Sequence, residues 1–179
     1  MPKQSFTINT RDSLVGNLYG ISYTNSVRHT YLNKNNASNS ADIPFGVAVC
    51  QGSEDRWTQL GTGATTADPI TVLGLAIRQI NREPDSRPST GEVSYHDNEA
   101  LAVLRDGFMT VKVGTGNAVV NGRVYVDNAK GTFHSAAKAD ERAIALNLRW
   151  GSSGSAGSNA VLEITSATMY QKPSATVTA

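Results

Sequence analysis

The sequence predicts an all-β fold: a single jelly-roll-like sandwich or barrel that carries an extended N-terminal arm. Serine and threonine each number 17, asparagine 14 and glycine 16, and only 17% of the 179 residues are charged. These residue types favour turns and strands over helix interiors. From residue 43 onward, short segments of alternating apolar and polar residues recur with turn sequences between them, as in sandwiches and barrels. No alternation of strand and helix patterns supports a doubly wound fold.

The chain divides into three parts by composition. Residues 1–42 form the predicted arm and linker, because their apolar and aromatic residues follow neither a helical nor a strand period and end in an asparagine-rich stretch. The alternative is an extra strand and loop of the main domain. Residues 43–170 form the predicted β domain. Residues 171–179 are a polar tail.

The β domain is predicted to consist of short strands joined by turns. Leu73, Leu75 and Ile77 are expected to share one face of a strand. The tripeptide at 105–107 predicts a tight hairpin, and the Gly/Ser-rich run at 151–159 predicts a flexible hairpin loop. Strands are predicted over residues 43–51, 69–80, 92–95, 101–104, 108–113, 119–127 (with a turn at 121–122), 132–134, 144–150 and 160–170.

Charge and cysteine content exclude several classes of function. A net charge of +1 argues against a protein that binds the phosphate backbone of nucleic acids. Cys50 is the single cysteine, so the chain has no internal disulfide and no cysteine-cluster metal site. No apolar run approaches the roughly 20 residues that span a bilayer. The first residues do not resemble a signal peptide, and we therefore expect synthesis in the cytoplasm.

The sequence offers little that predicts catalysis. His29, His96 and His134 are isolated, and their spacing does not match a metal site. Cys50 lies in a strand pattern without a nearby histidine, which favours a buried, inert thiol over a nucleophile. We predict no enzyme activity, no cofactor and no small-molecule substrate.

Two other patterns were weighed for chemistry. The carboxylate pairs Asp97 with Glu99 and Asp140 with Glu141 have the residue types of acid–base catalysis, but the first pair is typical of an ordinary turn. The glycine-rich stretches 61–66 and 114–117 lack the lysine of a phosphate-binding loop, and no helix follows them. Both stretches are interpreted as loops.

The β domain resembles the structural cement, or head decoration, proteins of tailed bacteriophages. Each motif alone is a plain strand-and-turn pattern, and it is their joint order and spacing that resemble the family. The motifs are IPFGVAV at 43–49, QG at 51–52, GLAIR at 74–78, VLRDGFMTV at 103–111, NGRVYVD at 121–127, GTF at 131–133 and LRW at 148–150.

The resemblance implies a protein of the virion that binds the outer surface of the assembled head and stabilises contacts between major capsid subunits. It implies a homo-oligomer, with a homotrimer favoured over a homodimer, and no nucleic-acid or membrane partner. Aromatic and arginine side chains dominate many interfaces. On that ground the candidate interface residues are Arg11, Tyr19, Tyr23, Arg28, Tyr31 and Trp57.

Two alternatives remain open from the sequence. A carbohydrate-binding or host-adhesion β-sandwich module of a virion would need a platform of exposed aromatic residues, and tryptophan and tyrosine are sparse and scattered here. An enzyme on a β scaffold, such as a lyase or a cupin-like metal protein, would need clustered histidine and glutamate ligands on neighbouring strands.

Overall fold

The computed structural model describes residues 14–19, 27–32, 42–51, 57–59, 69–78, 94–95, 99–138 and 141–165, with the backbone alone at 27–32, 51 and 57–59. Within these ranges all regular structure is β, which confirms the predicted fold class. None of these residues belongs to a helix of the length and hydropathy that a membrane crossing requires.

Eleven strands are assigned in the described part of the chain. They are β1 (Val27–Leu32), β2 (Ile43–Pro44), β3 (Ala48–Gln51), β4 (Trp57–Gln59), β5 (Gly74–Ala76), β6 (Ser94–Tyr95), β7 (Ala100–Lys112), β8 (Arg123–Asp127), β9 (Phe133–His134), β10 (Arg142–Trp150) and β11 (Asn159–Ile164).

Nine of these strands form one sheet around the long strand β7. The order is β4-β3-β5-β7-β11-β10-β8-β9, β1 also pairs with β7, and β2 and β6 form a separate pair. The first half of β7 pairs with β1 and β5, whereas its second half pairs with β11. All of these pairings are antiparallel.

The sheet curls until its last strand meets the end of β7. Val113, just after β7, forms a parallel bridge with Phe133 of β9. The N–H of Gly114 donates to the carbonyl of Phe133 at 2.8 Å, and the N–H of Ser135 donates to the carbonyl of Thr115 at 2.8 Å. Curling in this way gives the edge of β9 a partner, and unpaired strand edges otherwise invite aggregation.

Two apolar clusters form the core, one on each face of β3, β5 and the first half of β7. Ala48, Leu75 and Leu104 belong to the larger cluster inside the curled sheet. Their neighbours along the strands, including Ala76 and Val103, belong to the smaller cluster on the opposite face. Strands buried on both faces carry continuous apolar runs instead of an alternation, and this explains sequences such as Leu-Ala-Val-Leu in β7.

Two sequence-based predictions about strand geometry are wrong. The predicted hairpin at 105–107 does not form, because β7 runs through these residues without a break. Gly107 has a φ of 126° there, a backbone conformation that glycine adopts readily. The glycine therefore marks a local irregularity inside the strand and not a turn. Leu73 packs against the smaller cluster, not with Leu75 and Ile77, because β5 begins only at Gly74.

Residues 14–19 are bound to the β domain by backbone hydrogen bonds of Gly16 and by two close approaches that only glycine permits. The N–H of Gly16 donates to the carbonyl of Thr110 at 2.8 Å, and its carbonyl accepts from the N–H of Arg78 at 2.8 Å. Gly16 has a φ of 84°, and a Cβ there would lie 2.8 Å from Cβ of Phe45. A Cβ on Gly46, with a φ of 71°, would lie 2.5 Å from Cγ1 of Val15.

The predicted domain boundary at residue 42 remains a prediction.

An irregularity in β10 attaches the chain before β5. Residues 146–148 have no partner on β8, since Ala145 pairs with Val124 and the next registered pair is Arg149 with Arg123. In the gap, the Asn147 amide pairs with Val72 as a backbone peptide would. Its Oδ1 accepts from the Val72 N–H at 3.0 Å, and its Nδ2 donates to the Val72 carbonyl at 2.8 Å.

The substitution Gly16→Ala is expected to destabilise the fold more than Gly157→Ala. Both glycines have positive φ, which costs other residues roughly 1–2 kcal/mol. Nothing lies within 4 Å of a Cβ at Gly157, whereas a Cβ at Gly16 overlaps Phe45, and such overpacking costs roughly 1–3 kcal/mol more. Denaturant unfolding measures the free energy of unfolding of both variants. Equal losses of this free energy would contradict the close approach of Gly16 to Phe45.

The substitution Asn147→Asp is expected to lower the free energy of unfolding by about 1–3 kcal/mol, because the carboxylate cannot donate to the Val72 carbonyl and leaves it without its partner. Ser153→Asp introduces the same charge at an exposed position of the 151–158 loop and serves as the control. Denaturant unfolding measures both variants. An Asn147→Asp loss no larger than that of the control argues against the peptide-like pairing.

Candidate functional site

The six candidate interface residues are described to different extents. Tyr19 is described with its side chain, which is half exposed, and its N–H donates to the carbonyl of Phe108 at 3.0 Å. Arg28 and Tyr31 lie in β1, and Trp57 lies in β4, with only their backbone described. Arg11 and Tyr23 lie outside the described residues. Their roles in an interface remain predictions.

Tyr19 lies at one end of a short segment with a second exposed apolar residue, Leu14, at the other end. The residues between them are bound to β7 and to Arg78 by backbone hydrogen bonds. Leu18 forms an antiparallel bridge with Met109 and packs against the larger core cluster. The sheet therefore fixes the backbone from which both exposed side chains project.

A second exposed apolar surface lies at one end of the curled sheet. We call it the cap and define it as residues 113–122 and 151–158. Val119 is 62% exposed and Val120 is 51% exposed. They occupy the first two positions of a turn closed by the N–H of Gly122 donating to the carbonyl of Val119 at 2.8 Å. Asn121, with a φ of 60°, gives the positive φ that a type II turn requires at its third residue.

Backbone hydrogen bonds join the two loops of the cap. Ala118 and Gly154 exchange backbone hydrogen bonds of 2.7 and 3.1 Å. The N–H of Gly157 donates to the carbonyl of Val113 at 2.7 Å, and the N–H of Val113 donates to the carbonyl of Ser158 at 2.9 Å. The Gly/Ser-rich run connects the antiparallel strands β10 and β11, as the predicted hairpin loop requires, and forms one half of this surface. Its flexibility stays a prediction.

The cap contains no charged residue, and basic side chains lie beside it. Lys112, Arg123 and Arg149, which we call the rim, are exposed and have no ion-pair partner among the described residues. Arg123 and Arg149 lie directly opposite each other on β8 and β10. Glu163, opposite Arg149 on β11, is the acidic residue of the same row. Like charges placed directly opposite on a sheet are unfavourable.

A buried histidine, His134, lies where β9 meets the end of β7. Its Nδ1 lies 3.1 Å from Oγ1 of Thr115, and its Nε2 lies 3.0 Å from Oγ1 of Thr132. Arg142 donates to the Thr115 hydroxyl at 2.7 Å and to the carbonyl of Ala136 at 2.9 Å. A Cβ on Gly114 would lie 2.3 Å from Cε1 of this ring, that of His134, so glycine is required beneath it.

These contacts give His134 a structural role. Burial and, secondly, the positive charge of Arg142 lower the pKa of His134, and the weaker attraction of Asp127 opposes them. The uncharged ring, which can donate with one nitrogen and accept with the other, suits two threonine hydroxyls. The sequence does not reveal this cluster, because the residues in contact come from three separate parts of the chain.

The other groups considered for chemistry are dispersed. Burial raises the pKa of the Cys50 thiol, which disfavours the reactive thiolate. Asp97 and Asp140 lie outside the described residues, and Glu141 forms an ion pair with Lys138 at 2.6 Å. Among the described residues, histidine, cysteine, aspartate and glutamate form no group of three or more that could hold a metal ion.

A curled β body with ordered, exposed apolar surfaces defines a protein of the binding or structural class. The family model described as "Structural cement protein (E217 gp24/Pam3 gp6)" matches residues 1–165. The chain belongs to this family of phage structural cement proteins, and it therefore has a capsid-associated structural role in the virion. The match includes residues 1–42, so the predicted arm is a part of the family's sequence pattern.

A solved structure supports the fold. A chain of the capsid of Myoviridae phage XM1 is similar over 91% of this chain and 96% of its own length, with a TM-score of 0.64 and 15% sequence identity. No curated protein matches the chain.

The free energy of unfolding is expected to fall as the pH decreases through about 6.5. The pKa of His134 is lower in the folded chain than the ordinary value of 6.5. As the pH falls, the unfolded chain therefore binds a proton before the folded chain does, and this stabilises the unfolded state relative to the folded one. The free energy of unfolding stops falling once the pH is below the pKa of His134 in the folded chain. Denaturant unfolding between about pH 8 and pH 5 measures this effect.

His134→Gln removes the titrating group and leaves His29 and His96 as the common background. The difference between the wild-type chain and this variant should therefore depend on pH in the same range. A difference that is constant with pH would contradict the lowered pKa.

Proposed function

We propose that this protein binds the outer surface of an assembled phage head, as a homo-oligomer, and stabilises contacts between major capsid subunits. The observation that supports this most directly is the family match over residues 1–165, which covers both the β domain and the arm. The likeness to a chain of a phage capsid is consistent with it in fold.

The stabilisation follows from linkage. A protein that binds the assembled lattice but not the separated subunits adds its binding free energy to the stability of the lattice. A homotrimer at a symmetry axis would contact several capsid subunits at once, and the linked contacts would raise the total affinity well above that of one contact. A trimer is preferred to a dimer on the resemblance alone.

The described surfaces suit a binding role. Leu14 and Tyr19 on the N-terminal segment, and Val119 and Val120 on the cap, are apolar, exposed and held on ordered backbone. Surfaces that are ordered before binding lose less conformational entropy when a partner docks. Tyr19 is the one exposed aromatic side chain among those described, so no observation favours the carbohydrate-binding alternative.

Purified protein is expected to bind sealed, DNA-filled heads that lack it and to leave isolated capsid subunits unbound. Co-sedimentation with each form measures this difference. Because a protein of 19.0 kDa added from outside meets only the exterior of a sealed head, binding there identifies the outer surface. Binding to isolated subunits with equal affinity would contradict the lattice-specific mechanism.

Bound heads should also retain their DNA to a higher temperature than bare heads, as a linked binding equilibrium requires. The mass of the free protein measured in the same preparation gives the oligomeric state, and a monomer would contradict the trimer. Trypsin cleavage after Arg11 should be slower on heads than in free protein if the arm contacts the capsid. Equal cleavage rates on heads and in free protein would show that the arm does not contact the capsid.

A further inference from the structure

We infer that the cap is the surface that contacts the capsid, and that it docks on a site on the major capsid protein where carboxylates surround an apolar patch. This inference rests on the proposed function and specifies the partner's chemistry at one surface. It comes from the distribution of charge and exposure on the curled sheet.

The cap has the composition of the centre of an interface. Charged residues are depleted at the centres of protein interfaces and are found at their rims. Residues 113–122 and 150–162 contain no aspartate, glutamate, lysine or arginine, whereas 17% of the whole chain is charged. Val119 and Val120 are the large apolar side chains exposed on this uncharged surface.

Backbone hydrogen bonds connect the cap within itself and to the core. Its two loops are joined by the hydrogen bonds of Ala118 with Gly154 and of Val113 with Gly157 and Ser158. The turn that carries the valines is fixed to the end of β10, because the N–H of Asn121 donates to the carbonyl of Trp150 at 2.7 Å. Trp150 is fully buried, so the turn rests on the core.

The rim determines which partner fits. Arg123 and Arg149 lie opposite each other without an ion pair to any described residue, and Lys112 adds a third exposed positive charge opposite Asn159. Glu163 offsets one of these charges, which leaves the rim cationic. Carboxylates of a partner would neutralise the rim and would relieve the repulsion between the two arginines.

A second copy related by a two-fold axis fits the cap poorly. A two-fold contact would place the cap against itself and bring each rim against an identical cationic rim. Like charges across an interface select against that partner. In a trimer each contact is heterologous, so the cap would meet a different surface of the neighbouring copy, and the valine variant below tests for that occupant.

Two double variants test the cap on DNA-filled heads that lack the protein. Val119→Ser with Val120→Ser removes the apolar centre, and Arg123→Glu with Arg149→Glu reverses the rim. The side chains are exposed, so folding is retained, and denaturant unfolding verifies this. Each double variant should bind heads at least about tenfold more weakly than the wild-type chain, and the rim variant should lose the salt dependence of binding.

Matched controls lie outside the cap. Leu146→Ser removes an apolar side chain that is 64% exposed on β10, and Lys130→Glu reverses a charge at the opposite end of β8 from Arg123. Both controls should bind within about twofold of the wild-type chain.

The possible results separate the inference from the proposed function. Failure of the wild-type chain to bind heads would overturn the proposed function. Wild-type binding together with unchanged binding by both double variants would overturn the role of the cap. Conversion of the free oligomer to a monomer by the valine variant would show that a second copy occupies the cap, and this result would also overturn the inference.

Discussion

Strand β7 is the constraint on which the rest of the fold depends. Its 13 residues are the only stretch that pairs with strands of both halves of the described sheet, with β1 and β5 on the first half and β11 on the second. Its side chains contribute to both core clusters. Residues 14–19 pair with its second half, and the curl closes where Phe133 meets Val113 at its end. The positions of the cap and of the N-terminal segment therefore both follow from this strand.

The sequence predicted the class of fold and many of the strands, because alternation and turn residues are local signals. It did not predict the course of β7, since Arg105-Asp106-Gly107 has the composition of a hairpin and only the pairing of both halves keeps the strand continuous. Leu73 was assigned to the wrong face because the alternation begins only with β5. Trp150, the last residue of the motif at 148–150, is fully buried.

The candidate site was harder to predict, because its features depend on contacts between distant parts of the chain. The Gly/Ser-rich run has the composition of a flexible loop, and its composition does not reveal the backbone hydrogen bonds that join it to residues 113 and 118. The two valines before the Asn-Gly turn were a usable signal, since large apolar side chains at a turn are often exposed. Of the six residues chosen for their aromatic or arginine character, only Tyr19 has a described side chain, and it is exposed.

A subunit-resolution image of heads decorated with this protein tests the central claim most directly, namely that the chain acts by docking ordered surfaces on an assembled shell. The account predicts density for the chain on the outer surface, with Val119 and Val120 against the capsid protein and acidic capsid residues beside Arg123 and Arg149. Density on the inner surface, or a cap directed toward solvent with the rim unpaired, would contradict it.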